Sequence, residues 1–184
     1  LIEQPLAAAI GSGLPINEPI GNLIVDIGGG TSETALISMG GVVALEAVRV
    51  GSFDLDVAIQ NFIKKEFGVA IGERTAEEIK LTIGSASPYE GELRAEVRGR
   101  HISSGLPEVV VVSPSEIREA IDEPVSTMVD SVTSCLSKAP PEMAQDIIVQ
   151  GISLVGGGSL LKGFDTRISE ITEVPVHIVP NALE

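Results

Sequence analysis

Val25-Asp-Ile-Gly-Gly-Gly-Thr31 ends an apolar run, Asn22–Ile27, in three glycines and a small hydroxyl residue. Ser153-Leu-Val-Gly-Gly-Gly-Ser159 repeats the pattern near the other end of the chain. Each reads as a strand followed by a turn where the backbone itself must come close to a neighbour or a ligand. Glycines admit positive φ and close approach, so their N–H groups can line a shared space and hold phosphate or ribose oxygens without a basic side chain. Either triplet alone could be an ordinary turn. Two of them, each after a buried strand, favour a paired cradle.

The two loops carry different chemistry. Asp26 stands at the end of its strand, placed to hold Mg²⁺ through water, because that ion keeps most of its hydration shell. Thr31 and Ser32 add hydroxyls beside it. Gly156, Gly157 and Gly158 are expected to lead directly into a helix, whose N-terminal amides and dipole favour a polar or anionic group.

Outward from the first loop, Thr34–Ser38 and Val42–Val50 are further strand-like runs, giving with Asn22–Ile27 an antiparallel meander. Pro5-Leu-Ala-Ala-Ala-Ile10 before it favours helix and stops at Gly11 and Gly13. After Gly51, Leu55, Ile59, Phe62, Ile63 and Phe67 recur at helical spacing, with Gly68 as a C-cap. Thr75 and Glu78 have capping-box spacing for a second helix over Thr75–Ile83. Leu93–Ile102 and Glu108–Val112 read as two strands. Ser113-Pro-Ser-Glu116 is a helix start with a capping box and Pro at the first helical position. Ile117, Ile121, Val125, Val129, Val132 and Leu136 share one face of that helix, which Pro124 should kink and Pro140-Pro141 should end. Ile152–Val155 reads as a buried strand, Leu160 to Ile171 as a helix, and Val174–Val179 as a last strand. The layout predicts an α/β lobe built from residues 1–51 and 126–184, with a smaller α/β lobe inserted at 52–125.

The chain has 184 residues, 43% hydrophobic and only 3% aromatic, so its core rests on Ile, Leu, Val and Ala. A formal charge of −14 argues against non-specific nucleic-acid binding and against electrostatic attachment to an anionic membrane. It allows a phosphate ligand if amides and a metal supply the positive field. Cys135 is the only cysteine, which excludes an intrachain disulfide, makes the cytosol the default compartment and reads as a small buried residue. No apolar run reaches the ~18–20 residues of a membrane span. The start at Leu1 without Met, and the end at Glu184 just after a strand-like run, read as a piece of something longer. His101 and His177, far apart in sequence, read as strand or surface residues rather than metal ligands. GxxxxGK[ST], GxGxxG and GxSxG motifs are absent.

The ordered motifs resemble one family. Leu1-Ile-Glu-Gln-Pro-Leu-Ala-Ala-Ala-Ile-Gly11 is similar to the element before the second phosphate loop of actin-like ATPases, and Asp26-Ile-Gly-Gly-Gly-Thr31 to that loop. Ile71-Gly-Glu-Arg-Thr-Ala-Glu-Glu-Ile-Lys80 and Gly156-Gly-Gly-Ser-Leu-Leu161 resemble the adenosine-binding segments of the MreB/Mbl bacterial actins. Arg98-Gly-Arg100, Ser104-Gly-Leu-Pro107 and Pro140-Pro-Glu142 match in order and spacing, so the likeness spans essentially the whole chain.

The resemblance implies an actin-like (ribonuclease H-like) ATPase lobe with a small inserted α/β subdomain, in the family's terms subdomains IIA and IIB. It implies ATP and Mg²⁺ as cofactors. Asp26 would lie near the metal, and Gly28, Gly29, Gly30 and Thr31 would hold the β- and γ-phosphates. Glu77, Glu78, Ile79 and Lys80 would contact the adenosine, with Gly156, Gly157, Gly158, Ser159 and Leu160 on the other side of the nucleoside. Read without the family, Glu77 and Lys80 form a solvated charge pair. Gln4 and Thr31 would be the catalytic residues, with Gln4 orienting the attacking water. The family commonly has Glu at that position, and Gln can orient water but cannot accept its proton.

As partners the resemblance implies ATP, further copies in filaments, and cell-wall synthesis proteins at the cytoplasmic side of the membrane. The family's first phosphate loop lies upstream of Leu1 and its final crossing helix beyond Glu184. The chain alone is therefore expected to turn over little ATP, since phosphoryl transfer depends on positioning and clamping. Two other readings stay open: a chaperone or sugar kinase of the same fold, and a shortened, non-catalytic member acting as a binding module.

Overall fold

The structure is a computed structural model that describes residues 3–180. Leu1, Ile2 and residues 181–184, with the readings placed on them, lie outside the described residues.

Asn22–Ile27 (β1) is buried along its length except at Asp26, because it is the central strand of a five-stranded sheet. Ser32–Ser38 (β2) and Gly41–Val48 (β3) follow antiparallel, the meander expected from three apolar runs with tight connections. On the other side, Ile152–Val155 (β7) and Val176–Ile178 (β8) run parallel to β1, giving the order β3-β2-β1-β7-β8. Alternation divides the apolar residues between two faces. Leu23, Val25 and Ile27 face the larger core, while Ile24, Ala35, Ile37 and Val155 pack with Ala9 of helix α1 (Gln4–Gly11).

Ser52–Phe67 (α2) ends on Gly68, whose φ of 65° is the left-handed cap expected there. Val69–Ala70 (β4), Ala95–His101 (β5) and Pro107–Val112 (β6) form a separate antiparallel sheet, with Glu73–Ile83 (α3) beside it. Val69, Val97, Val110 and Val112 join the larger core through α2 and α3.

Four local expectations are corrected. Helix α3 begins two residues early, at Glu73 with Gly72 as cap, so Thr75 and Glu78 form no capping box. Glu78 instead accepts from Arg74 at 3.1 Å, one turn away. Pro124 does not kink a long helix: the chain breaks at Ile121 between Pro114–Ala120 (α4) and Asp122–Ser137 (α5). Pro124 then falls in the first turn of α5, where its missing N–H has no helical partner to lose. Pro140-Pro141 stops one helix but also starts another, Pro141–Gln150 (α6), by the same first-turn preference. Finally, Leu160 belongs to a 3₁₀ turn, Gly157–Leu160, and the following helix is Phe164–Thr172 (α7).

The cap of α4 is as expected. Glu116 N–H donates to Ser113 Oγ at 3.3 Å, and Ser113 N–H donates to Glu116 Oε2 at 2.7 Å. Ser113→Ala should lower stability by about 1 kcal/mol, read by urea unfolding. The backbone and hydroxyl of Ser113 also hold the Glu116 carboxyl below its ordinary range. Its stabilisation is therefore complete above the unfolded value, about 4.3, and fades as pH falls through the lower folded one. The acid limb of the stability curve should be shallower in Ser113→Ala; an unchanged limb would separate the cap from acid sensitivity.

Candidate functional site

The two glycine turns follow adjacent parallel strands. β1 and β7 pair in register, Asp26 opposite Val155, so both triplets leave the carboxyl ends of neighbouring strands, where open α/β sheets place ligands. Their approach leaves no room for side chains. A Cβ on Gly156 would stand 2.4 Å from the Ile27 carbonyl and 2.5 Å from Asp26 Oδ1, at a φ of +83°. One on Gly158 would meet Ile27 Cγ2 at 2.2 Å.

The first loop is fastened to α2. Ser52 and Phe53 N–H groups donate to the carbonyls of Gly28 and Gly29 at 3.0 and 2.8 Å, so the loop's oxygens cap that helix. Gly28 N–H closes the turn onto the Thr31 carbonyl at 2.8 Å. Among the described residues, the amides of Gly29 and Gly30 donate to no acceptor, and Gly30 is exposed. These are the donors a phosphate cradle requires.

Next to this loop lies a cleft of about 340 Å³ lined by Ser52, Leu55, Glu77, Lys80, Gly157 and Leu160, among others. Residues from α2, α3 and the second glycine turn thus converge, and Ser52 joins the cleft to the first loop. Of the sequence-predicted nucleoside residues, Glu77, Lys80, Gly157, Gly158 and Leu160 line it. Glu78 and Ile79 do not. Glu78 is exposed and engaged with Arg74, and Ile79 is turned into the core. Ser159 is buried and donates to the Gly156 carbonyl at 2.6 Å, fastening the turn. The second triplet opens a 3₁₀ turn, so the dipole of a full helix is not available there, only the amides of the turn.

Lys80 is not the partner of Glu77. Its ammonium donates to Asp56 Oδ2 at 2.9 Å and to the Ser52 carbonyl at 3.1 Å, and only 8% of the residue is exposed. Burial pushes the Asp56 carboxyl up from its ordinary value, and Lys80 offsets part of that rise. Nothing in the sequence signals this pair, since Asp56 belongs to none of the motifs. Its only trace is a carboxylate, one residue after Leu55, on the helix whose N-terminus meets the phosphate loop.

Gln4 and Asp26 do come together. Gln4 Nε2 donates to Asp26 Oδ2 at 3.1 Å, which leaves the Gln4 amide oxygen as an acceptor. Glu33 was missed. It stands directly opposite Asp26 across β1 and β2, and burial, then the Asp26 charge, raises its carboxyl pKa. The alternation of β2 could have revealed it, because Asp26 and Glu33 must share a face once the register is known. Thr31 is exposed beside them.

Cys135 is fully buried, and its thiol is pushed up to about 11 by burial and by the Glu46 charge. It is no nucleophile. His101 and His177 lie on β5 and β8, and no cluster of metal-ligating side chains occurs among the described residues. Among those residues no helix is long and apolar enough to cross a membrane.

The MreB/Mbl protein family matches over residues 1–184. The chain is 46% identical over 183 residues to the cell shape-determining protein MreB of Escherichia coli K12, covering 100% of this chain and 53% of that protein. It is 41% identical over 184 residues to the cell shape-determining protein Mbl of Bacillus subtilis, covering 100% of this chain and 55% of that one. MreB5 of Spiroplasma citri, solved bound to AMPPNP, superposes with a TM-score of 0.93 at 39% identity over 98% of this chain and 54% of that one. The fold is therefore actin-like, and the chain spans about half the length of the relatives it matches.

Proposed function

The chain belongs to the MreB/Mbl family, and from that membership we propose that it supplies an ATP-binding cleft to a filament-forming protein that sets cell shape. The observation that carries this reading is a pair of glycine turns at the ends of paired strands β1 and β7, the second lining the cleft and the first joined to it at Ser52, whose N–H donates to the Gly28 carbonyl. Relatives of known fold hold AMPPNP and ADP, which supports a nucleotide as the occupant. We assign residues 1–51 and 126–184 to the lobe built on the five-stranded sheet, and 52–125 to the inserted lobe.

The residues suit ATP with Mg²⁺. The free amides of Gly29 and Gly30 offer phosphate donors without a basic side chain in a chain of net charge −14, and the absent Cβ atoms at Gly156 and Gly158 let the second turn pack directly on Ile27 and Asp26 beside them. The amides of Gly29 and Gly30, with Thr31, would hold the phosphates, and Asp26 would hold the metal through water. Glu77 and Lys80 would flank the nucleoside opposite Gly157, Gly158 and Leu160. Bound Mg²⁺ would neutralise charge on the phosphates. Gln4, fixed by its bond to Asp26, would accept a hydrogen bond from the attacking water with its amide oxygen. Because that amide cannot take a proton, hydrolysis should be slow.

Filaments formed under the membrane, and cell-wall synthesis partners, belong to the same reading. Its test is light scattering and pelleting of the protein with Mg–ATP, with EDTA, and without nucleotide. Nucleotide-dependent assembly is expected. A protein that stays monomeric with Mg–ATP while phosphorylating a small molecule would instead be a kinase of the same fold.

A further inference from the structure

The two walls of the cleft come from different lobes. Glu77 and Lys80 stand on α3, in the inserted lobe, while Gly157, Gly158 and Leu160 belong to the turn after β7 in the main lobe. Helix α3 packs on α2, α4 and β5, all in its own lobe. What ties it to the opposite wall is the segment just after it, residues 85–87, which is buried although it only connects α3 to β5.

Lys162 holds this segment with both its backbone and its side chain. Ser85 bridges to it in parallel, and its carbonyl accepts from Ala86 N–H at 2.7 Å. Its ammonium donates to the Thr82 carbonyl at 2.7 Å and sits 5.0 Å from the centre of the Tyr89 ring. Thr82 lies in the last turn of α3, where carbonyls lack helical partners and a cation meets the negative end of the dipole. Lys80, the helix's own cation in that turn, is engaged by Asp56 and Ser52 instead. The next residue keeps the two chains close, because a Cβ on Gly163 would stand 3.0 Å from the Ser87 backbone nitrogen. On its other side the segment is pinned within the inserted lobe, where Arg118 donates to Ser85 Oγ at 2.8 Å and to Glu92 Oε1 at 2.7 Å.

We propose that Lys162 is a latch between the lobes, a positioning residue that holds the α3 wall against the second glycine turn and so sets how tightly the cleft grips its nucleotide. This rests on the reading of the cleft as a nucleotide site, and names a residue that regulates its closure. Binding needs both walls in place, so affinity follows the fraction of molecules in which they are closed. Lys162 is exposed, so its hold is that of a helix-end cation and a surface cation–π contact, together about fivefold in the closing equilibrium.

The test reads amide exchange at Gly84 and Ala86 without nucleotide, and Mg–ATP affinity by calorimetry, in the parent protein and in K162M, K162R and Y89L. K162M is expected to melt like the parent protein, to exchange those amides faster and to bind Mg–ATP about fivefold more weakly. K162R keeps a cation over the ring and should restore both. Tyr89 is not among the cleft-lining residues, so Y89L leaves the walls themselves intact, and it should shift both readouts the same way by about twofold. Unchanged exchange in K162M, faster exchange with no loss of affinity, or a loss that K162R fails to restore would overturn the proposal. A loss in K162M with none in Y89L would overturn it too, by making Lys162 a direct contact of the nucleotide. A parent protein without saturable binding would instead remove the nucleotide reading and the positioning role with it.

Discussion

Lys80→Met is expected to lower the stability of the folded protein by about 3–5 kcal/mol, because it strands a carboxylate that has no other way to be compensated. Asp56 and Lys80 side chains are 11% and 9% exposed, so their attraction is little screened and neither has water to fall back on. The deficit should depend on pH in a defined sense. Burial already raises the Asp56 carboxyl, and removing Lys80 deletes the interactions that lower it. A carboxyl whose folded pKa exceeds its unfolded value makes the fold less stable as pH rises between the two, and protonation restores it. The Lys80→Met deficit should therefore be largest above the folded value and shrink as pH falls toward the unfolded one, about 3.9. Replacing Asp56 as well, as in D56L/K80M, should recover much of the loss, since a buried pair is often matched by apolar residues of similar size. Urea unfolding at several pH values reads all three effects. A deficit that ignores pH and survives the double change would mean that Lys80 acts through packing alone.

Gly51→Ala should have a comparable effect for a different reason. A Cβ at Gly51 would stand 2.5 Å from the Gly29 carbonyl oxygen and 2.7 Å from that of Gly28. Both are backbone atoms, so no side chain can rotate away, and the first phosphate loop must part from the start of α2. That breaks the two hydrogen bonds from Ser52 and Phe53 by which the loop is held. A loss of about 2–3 kcal/mol in stability is expected, with Mg–ATP affinity falling at least tenfold. Gly29→Ala is the informative contrast. The nearest atoms its Cβ would meet belong to the ring of Phe53, at 2.5 Å, and that side chain is mostly exposed and free to swing aside. Gly29→Ala should be the milder variant in both respects. Equal effects would show that the loop tolerates displacement from α2.

These two sites also show what can be read from a sequence. Strand β1 and the glycine triplet after it were legible, because a buried central strand is apolar throughout and a turn made of glycines advertises close approach. Helix α2 was legible to the residue, since its periodicity is uninterrupted and Gly51 and Gly68 bracket it. Helix α6 was not, because Pro140-Pro141 reads equally as a stop and as a first turn, and what decides is its packing against β1, with Asp146 accepting from Gly21 N–H. The nucleoside wall was half legible. Glu77 and Lys80 sit three apart on one helix, which suggests a pair, but Lys80 finds its partner on α2, a long-range contact with no local signature. Glu33 was hidden in the same way, because strand register is a tertiary fact. The start of α3 was misplaced because Thr75 and Glu78 imitate a capping box, whereas the helix begins at Glu73 with Gly72 as its cap and Glu78 engages Arg74.

The most direct test of the nucleotide cleft is a calorimetric titration of Mg–ATP into the protein and into its Glu77→Gln variant. Glu77 is exposed and makes no ion pair among the described residues, so the variant should fold and melt unchanged while its carboxylate is lost from the cleft wall. Saturable binding to the parent protein, weakened about tenfold in Glu77→Gln, the scale of one charge-assisted hydrogen bond, is the expected result. Absence of saturable binding to the parent protein, or equal affinity in the two, would contradict the assignment of this cleft to the nucleoside.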